Sequence, residues 1–283
     1  MADAAGALRE AAQQLAEISD SPRLDAELLM AHALRIDRAE LLLKLPQLTV
    51  PAIFSALVSR RRKSEPIAHI IGKKEFWGLD FLVTPDVLIP RPDSELLIEE
   101  AVRLLAAQHP QRILDLGTGS GALLLAALSE FPAASGLGID ASSAALQIAH
   151  NNADALGLAD RARFLLLDWT LPDWTLPDWM GAAGSGFDLV LANPPYVSTG
   201  AQLSADVAQY EPHVALFAGE DGMDDYRIII PGLEKLLSPT GIAMVEIGFD
   251  QAVPVSELAI ENGYDIELKK DLGGNDRLLI LRP

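Results

Sequence analysis

The sequence predicts an α/β protein, a mostly parallel, doubly wound sheet preceded by a small N-terminal helical bundle and joined to it by a β-hairpin. Three observations carry this. Up to about residue 75 apolar residues recur at steps of three and four. From Arg112 onward short apolar runs alternate with helical patterns, as in a parallel sheet. Between these runs "ILDLGTGSGALLLAAL" (Ile113–Leu128) reads as a strand, a tight glycine turn and a helix.

The bundle is assigned to residues 1–75. "LREAAQQLAEI" places Leu8, Ala12, Leu15 and Ile18 on one face. "SPRLDAELLMAHAL" offers Ser21 as a cap and Pro22 in the first turn, with Leu24, Leu28 and Ala31 sharing a face. "RAELLLKL" and "PAIFSALVSRRRK" supply two more helices. Residues 76–92 break the period: Phe76, Trp77, Phe81, Leu82 and Val83 flank Gly78, which suggests a hairpin linker. The sheet domain is assigned to 93–283. It opens with a helix from Ser94 to about Gln108, followed by strands at "RILDLG", "SGLGID", "ARFLLLD", "FDLVLAN", "GIAMVEIG", "YDIELKK" and "RLLILR". Helical patterns at Leu123–Glu130, Ala144–Ala155 and Tyr226–Leu237 separate some of them. The last two strands follow one another without a helix, so one of the pair is expected to be antiparallel. "DWTLPDWTLPDW" (Asp168–Trp179) repeats DWTLP in tandem and reads as a long loop rather than a repeat architecture.

Composition narrows the chemistry. With no cysteine, disulfides, thiolate nucleophiles and Cys-based zinc sites are excluded, and five scattered histidines make no metal-ligand spacing. Neither a secretory leader nor a membrane span is read, so a cytoplasmic protein is expected, and a monomer. The net charge of −18 is uneven: residues 1–75 carry 11 basic and 10 acidic side chains, and 76–283 the other 11 and 30. So acidic a body repels phosphate backbones, and nucleic acid is disfavoured as a substrate.

Gly117, Gly119 and Gly121 let the backbone bend sharply and approach a ligand at the positive end of the next helix. The G-x-G-x-G spacing differs from the dinucleotide fingerprint and from a nucleoside-triphosphate loop. Asp115, two residues earlier, suits a cationic ligand better than a pyrophosphate. Asp140 closes the next strand, where an acid accepts both hydroxyls of a ribose or else caps the helix beginning near Ser142. Asp168-Trp169 closes the third strand, where an indole would stack on adenine or cover the sheet edge. Ribose and adenine without phosphate contacts point to S-adenosyl-L-methionine as cofactor.

"FDLVLANPPYVS" (Phe187–Ser198) ends a strand with two prolines that cannot extend a ladder. At that carboxyl end the Asn193 side-chain oxygen and the Pro194 carbonyl can accept both hydrogens of one planar amino group, while Tyr196 packs on its flat face. Such a clamp orients a weakly nucleophilic nitrogen toward a sulfonium methyl, with no general base required. A DNA amino-methyltransferase would share the glycine turn and N-P-P-Y but finds no large basic segment here. A non-catalytic cofactor-binding protein would have no need of Asn193 with two prolines.

"EPIAHIIGKKEFWGLDFLV", "VLIPRPDSE", "DLGTGSG", "FDLVLANPPY", "YEPHVALFAGEDGMDDYR" and "EIGFDQ" occur in this order, and on them the chain resembles the peptide chain release factor glutamine methyltransferases over nearly its whole length. The resemblance implies a class I (Rossmann-like) S-adenosylmethionine-dependent methyltransferase sheet behind the helical bundle. It implies methyl transfer to the side-chain amide nitrogen (N5) of the glutamine in the Gly-Gly-Gln motif of class I release factors, with S-adenosyl-L-homocysteine as product, in support of translation termination. An alternative is an amino-methyltransferase acting on adenine or cytosine of nucleic acid. Gly117, Thr118, Gly119, Ser120, Gly121, Asp140, Trp169 and Asn193 would bind the cofactor. Asn193, Pro194, Pro195 and Tyr196 would hold the glutamine amide, with Asn193, Pro194 and Tyr196 as the catalytic set, and the helical domain would grip the release factor. Ser94 stands where the family often has threonine. The tandem DWTLP leaves Trp169 and Trp174 as alternatives for the adenine.

The cations of "RRRK" (Arg60–Lys63) suit a helix C-terminus or an acidic partner. Arg91 lines a pocket mouth or pairs with an acid. Glu211 and Glu246 either face the site or, as such acids more often do, cap turns or bond to backbone amides, and they stand outside the catalytic set.

Overall fold

The computed structural model describes residues 3–171 and 186–283. The second DWTLP copy, with Trp174 and Trp179, lies outside the described residues. The chain forms two compact units, Met1–Lys73 with Leu203–Glu211, and Lys74–Gln202 with Pro212–Pro283.

The first unit holds helices α1 (Ala4–Leu15), α2 (Pro22–Leu34), α3 (Arg38–Lys44), α4 (Phe54–Arg61) and α5 (Ile67–Ile71). Asp3 and Asp37 cap α1 and α3 through their side chains. Ser21 precedes α2 but makes no side-chain cap bond, and its N–H donates instead to Ser19 Oγ at 3.1 Å. Leu24 does not join the buried face and is 39% exposed, whereas Ala26, Leu29 and Met30 are buried. The reason is that α2 packs against α1, α3, α4 and α5, so its covered surface is wider than one stripe. That surface includes two acids. Asp25 accepts from Arg61 Nε at 2.8 Å, and Glu27 accepts from Arg23 and Arg38 at 2.5 and 2.8 Å. Arg61 is thus a buried partner inside the bundle, and Arg60 pairs with Glu65, so half of the "RRRK" run is structural. A later segment, Leu203–Glu211 with its helix Ala205–Tyr210, also belongs to this unit, and the Tyr210 hydroxyl donates to the Lys63 carbonyl at 2.9 Å.

A hairpin follows, β1 (Lys73–Phe76) and β2 (Leu79–Leu82), turning on Trp77 and Gly78 at φ +52° and +71°. Two left-handed residues match the twist of a tight hairpin. Phe76 and Phe81 are buried in one core with Leu97, Ile98 and Leu124. Asn152 fastens the hairpin edge: its Oδ1 accepts from Leu82 N–H at 2.7 Å, and its Nδ2 donates to the Leu82 carbonyl at 3.1 Å. The same amide donates to the Ser120 carbonyl in the glycine turn at 2.8 Å.

The sheet is built from β3 (Arg112–Leu116), β4 (Ser135–Asp140), β5 (Ala162–Leu166), β6 (Phe187–Ala192), β7 (Leu237–Glu246), β8 (Asp265–Lys270) and β9 (Asp276–Arg282) in the order β5-β4-β3-β6-β7-β9-β8. All neighbours are parallel except that β9 runs against both β7 and β8. The pattern Tyr226–Leu237 resolves into a helix at Asp224–Gly232, a short 3-10 turn, and the start of β7 at Leu237. Pro231 and Gly232 end the helix, since proline lacks the N–H and glycine resists helical order. A further helix, Ala252–Glu261, follows β7 without a clear sequence signal. The strand order reverses between β3 and β6, which opens a crevice at their carboxyl ends.

Asn152→Ala should strand the Leu82 N–H and the Ser120 carbonyl, at about 1–3 kcal/mol for each group left unpaired. The expected result is a lower unfolding midpoint with faster hydrogen exchange at Leu82. Unchanged exchange would show that the Phe76–Phe81 core and the Trp77 bonds to Glu95 and Glu130 hold the hairpin without Asn152.

Candidate active site

The glycine turn leaves β3 beside β4. The N–H groups of Gly117 and Thr118 both donate to the Ile139 carbonyl, at 3.0 and 2.9 Å. Gly117, Gly119 and Gly121 lie at φ +72°, +53° and +81°, where a side chain is strained. At Gly117 a Cβ would come within 2.9 Å of the Trp169 ring, so glycine here is also a matter of room. Thr118 and Ser120 are buried beneath the turn, and Thr118 Oγ1 donates to Asp115 at 2.6 Å. Burial pushes the Asp115 carboxyl up to about 7.

Asp140 bridges two segments. One carboxylate oxygen accepts from Gly119 N–H at 2.9 Å and the other from Ser142 N–H at 2.8 Å. The helix cap is Ser142, whose hydroxyl accepts from Ala145 N–H at 3.1 Å. Asp140 therefore serves the helix entrance and at the same time faces the cavity, and burial raises its pKa. Trp169 is buried, with its indole N–H donating to Asp225 at 2.6 Å, and burial likewise raises the Asp225 pKa.

The N-P-P-Y segment follows β6, which pairs Ala192 with Leu116 of β3 and so starts beside the glycine turn. Asn193 and Pro195 line one cavity of about 340 Å³ with Gly117, Gly119, Asp140 and Trp169. Pro194 is buried against the sheet, and the half-buried Tyr196 turns its hydroxyl to Glu246 at 3.3 Å. Burial holds the Tyr196 hydroxyl well above its ordinary pKa. Thr118, Ser120, Gly121, Pro194 and Tyr196 are not among the residues lining the cavity.

Several participants escape sequence reasoning. Asp86, Val87 and Leu88, from the segment taken as linker, form part of the wall, as do Pro212, Val214, Ala215 and Phe217. The only signal for the latter group is the irregular "YEPHVALFAG" placed after a sheet strand. Asp225, Gln251, Ser94 and Glu246 enter through contacts that span 50 or more residues, the Gln251 amide donating to the Tyr196 carbonyl at 3.0 Å. Glu211 is buried in the first unit and does not line the cavity.

The lining has one electrostatic sign. Asp86, Asp140, Asp168 and Asp225 contribute to it, and among the described residues no lysine, arginine or histidine does. Such a wall repels a phosphorylated cofactor and favours a cationic one, as a sulfonium with an α-amino group is. The close approach at Gly117 and the indole beside it fit a flat, uncharged ring. The residues present thus fit S-adenosylmethionine. No group of three or more acids and histidines able to hold a metal occurs among the described residues.

Comparison with known proteins agrees with this chemistry. The family described as the PrmC N-terminal domain matches residues 6–72, and a methyltransferase domain family matches residues 108–262. A release factor glutamine methyltransferase of Rhodospirillum rubrum is 40% identical over 269 residues, covering 93% of this chain and 79% of that protein. One from Cereibacter sphaeroides is 41% identical over 286 residues, covering 99% and 98%. Among solved structures, the hMettl16 catalytic domain in complex with the MAT2A 3′UTR hairpin 6 superposes with a TM-score of 0.56 at 15% identity, over 80% of this chain and 81% of that one, and so shares the fold. With identity at this level over nearly the full length of both proteins, the chain belongs to the release factor glutamine methyltransferase family.

Proposed function

We propose that this protein transfers the methyl group of S-adenosyl-L-methionine to the side-chain amide nitrogen of the Gly-Gly-Gln glutamine in class I peptide chain release factors. The observation that carries the reading is that Asn193 and Pro195 of the N-P-P-Y segment share one acidic cavity with Gly117 and Gly119 of the glycine turn, in a chain about two-fifths identical to enzymes of that name. Asp140 would hold the ribose, Trp169 the adenine, and the Gly117–Gly121 backbone the remainder of the cofactor. Thr118 and Ser120 would act from beneath, by fixing the shape of that turn. Bound there, the cofactor supplies an electrophilic methyl on a sulfonium.

The chain's own residues then have an orienting task. Asn193 Oδ1 and the Pro194 carbonyl would accept the two hydrogens of the glutamine amide. Pro194 and Pro195 keep that segment stiff, and Tyr196 would bound the pocket on the amide's flat side. Orientation of this kind removes much of the entropic barrier to a bimolecular reaction. Carbonyl dipoles in a dry cavity also favour a reaction that disperses positive charge. A DNA or RNA base would have to bring its phosphates to a strongly acidic body, which favours the protein substrate.

The N-terminal bundle would grip the release factor. The enzyme would act as a monomer, in the cytoplasm where its substrate works. No helix among the described residues is long and apolar enough to cross a membrane.

The direct test is incubation with methyl-labelled S-adenosylmethionine and a purified release factor, with the Gly-Gly-Gln glutamine changed to alanine as control. Label on the unaltered factor alone is expected. No label, under conditions where the cofactor binds, would redirect the search to adenine-containing nucleic acid.

Asn193→Ala should lower turnover by about 100-fold, the cost of losing alignment at the reacting atom, and leave cofactor affinity within a few-fold. Equal loss of both would remove Asn193 from the amide clamp. Asp140→Ala should weaken cofactor binding by about tenfold or more, the worth of a charge-assisted hydrogen bond. Ser142→Ala, which removes the helix cap at the cavity's edge and keeps the Ser142 N–H bond to Asp140, should weaken it less; calorimetry with S-adenosylhomocysteine compares the two. Equal weakening would return Asp140 to a capping role.

A further inference from the structure

Behind Asn193 lies a polar chain that no cavity-lining role explains. Asn193 Nδ2 donates to Ser94 Oγ at 3.2 Å, and Ser94 Oγ donates to Glu246 Oε2 at 2.5 Å. The other carboxylate oxygen, Oε1, accepts from the Tyr196 hydroxyl at 3.3 Å. Ser94 is 3% exposed and Glu246 1%, so neither can exchange these partners for water. One acid thus touches the Tyr196 end of the N-P-P-Y segment directly and reaches the Asn193 end through Ser94. It comes from β7, the strand next to β6, and the serine comes from the turn before the helix Glu95–Leu105.

The order of donors and acceptors in this chain is forced. A carboxylate can only accept. Ser94 has a single hydrogen, and the short contact commits it to Glu246. Toward Asn193 the serine oxygen is then left with lone pairs alone, so Asn193 must present its NH2 group to Ser94. Its Oδ1 is thereby turned away from Ser94, and Asn193 is itself one of the residues that line the cavity. The two orientations of an asparagine amide are nearly equal in shape, so packing alone does not choose between them. The wrong one would offer a donor to an NH2 group that is itself a donor.

We infer that Glu246, acting through Ser94, is the positioning residue that sets the orientation of the Asn193 amide, and through the Tyr196 hydroxyl holds the other end of the clamp. The inference rests on the amide-clamp reading given above. It also assigns a purpose to a costly arrangement, because an ionised carboxylate in this place is poorly solvated. Burial pushes the Glu246 carboxyl up to about 7. The groups facing it are Ser94 and Tyr196 as donors, Arg277 of β9 lowering its pKa, and Asp93 raising it. The Tyr226 hydroxyl bonds the Glu246 backbone carbonyl at 3.0 Å, and Arg91 and Arg277 act on Tyr196. Arg277 is itself shared with Asp93 and Asp271, at 3.4 and 3.3 Å, so its charge is only partly available to the glutamate.

Protonation reverses the logic. A neutral Glu246 can donate to Ser94, the serine hydrogen is freed to meet Asn193 Oδ1, and both amide orientations become available. Activity should therefore be lost as pH falls through the Glu246 pKa and be full above it.

The test uses the full-length protein and two readouts. The first follows the side-chain NH2 resonances of Asn193 in ¹⁵N-labelled, substrate-free protein between pH 5.5 and 8.5, identified by their loss in Asn193→Asp. Wild type should show a titration near pH 7 that is absent in Glu246→Gln and in Ser94→Ala. The second is the pH profile of kcat on the release factor. Ser94→Ala and Glu246→Gln should lower kcat about 10- to 100-fold with KM and cofactor affinity little changed, as expected for misalignment, and Ser94→Thr should restore most of it. In Glu246→Gln the acid limb should vanish. Asn193 resonances that ignore both pH and the Ser94 substitution would overturn the inference, as would a Ser94→Ala enzyme with unaltered kcat. If wild type leaves the release factor unlabelled, the substrate assignment fails, and the resonance titration still decides whether Glu246 orients Asn193.

Discussion

One strand pairing fixes the geometry of the site. Leu116 at the end of β3 lies beside Ala192 at the end of β6, in parallel register. Both strands therefore release their chains in the same direction from neighbouring rungs, one into Gly117 and the other into Asn193. Since the sheet order reverses here, no crossover helix covers the gap between them. A glycine turn suited to a cofactor and a proline-stiffened segment suited to an amide are thus adjacent before any side chain is considered. A one-residue slip in this register would turn every side chain of β6 to the opposite face and dismantle the pairing of the two functions.

Charge supplies what register cannot. Four aspartates surround the cavity, and burial raises the pKa of Asp140 and Asp225 as well as of Asp115 below. Carboxyls in this condition are poorly compensated within the protein, and an incoming cation provides the missing partner. For Asp115 and Glu246 the linkage has a definite sign. Their folded pKa values, about 7, lie above the ordinary 3.8 and 4.5, so their ionisation costs native stability as pH rises through that interval. The fold is most at ease with these groups neutral, yet the clamp calls for Glu246 to be charged. Stability and chemistry pull in opposite directions at this one residue.

Much of this was legible in the sequence, for physical reasons that also explain what was not. The inner strands β3, β4, β6 and β7 announce themselves because a parallel sheet buried on both faces reads as apolar runs. The glycine turn and N-P-P-Y are visible because each is a local backbone requirement. Asn152 and Asp225 are not, since their partners lie between 32 and 70 residues away along the chain and nothing nearby marks them, and Ser94 and Glu246, though each is noticeable in the sequence, are joined by a contact across 152 residues that it does not show. Ser21 shows the converse error: a good cap residue in the right place makes no side-chain cap bond. Leu24 was misplaced because a helix surrounded on several sides has no single buried stripe, and it buries acids when arginines from other helices meet them. The helix Ala252–Glu261 was missed with Pro254 inside its first turn, a position that tolerates proline but weakens the pattern.

The segment Leu203–Glu211 gives the chain an unusual itinerary. It leaves the sheet unit after Gln202, completes the bundle, and returns at Pro212, a few residues before Val214 and Phe217 reach the cavity wall. The bundle is consequently not a contiguous cassette. A gene rearrangement that carried off the first 73 residues would leave a piece of their fold behind, in the stretch of sequence between Gln202 and Pro212, with the Tyr210 hydroxyl deprived of the Lys63 carbonyl.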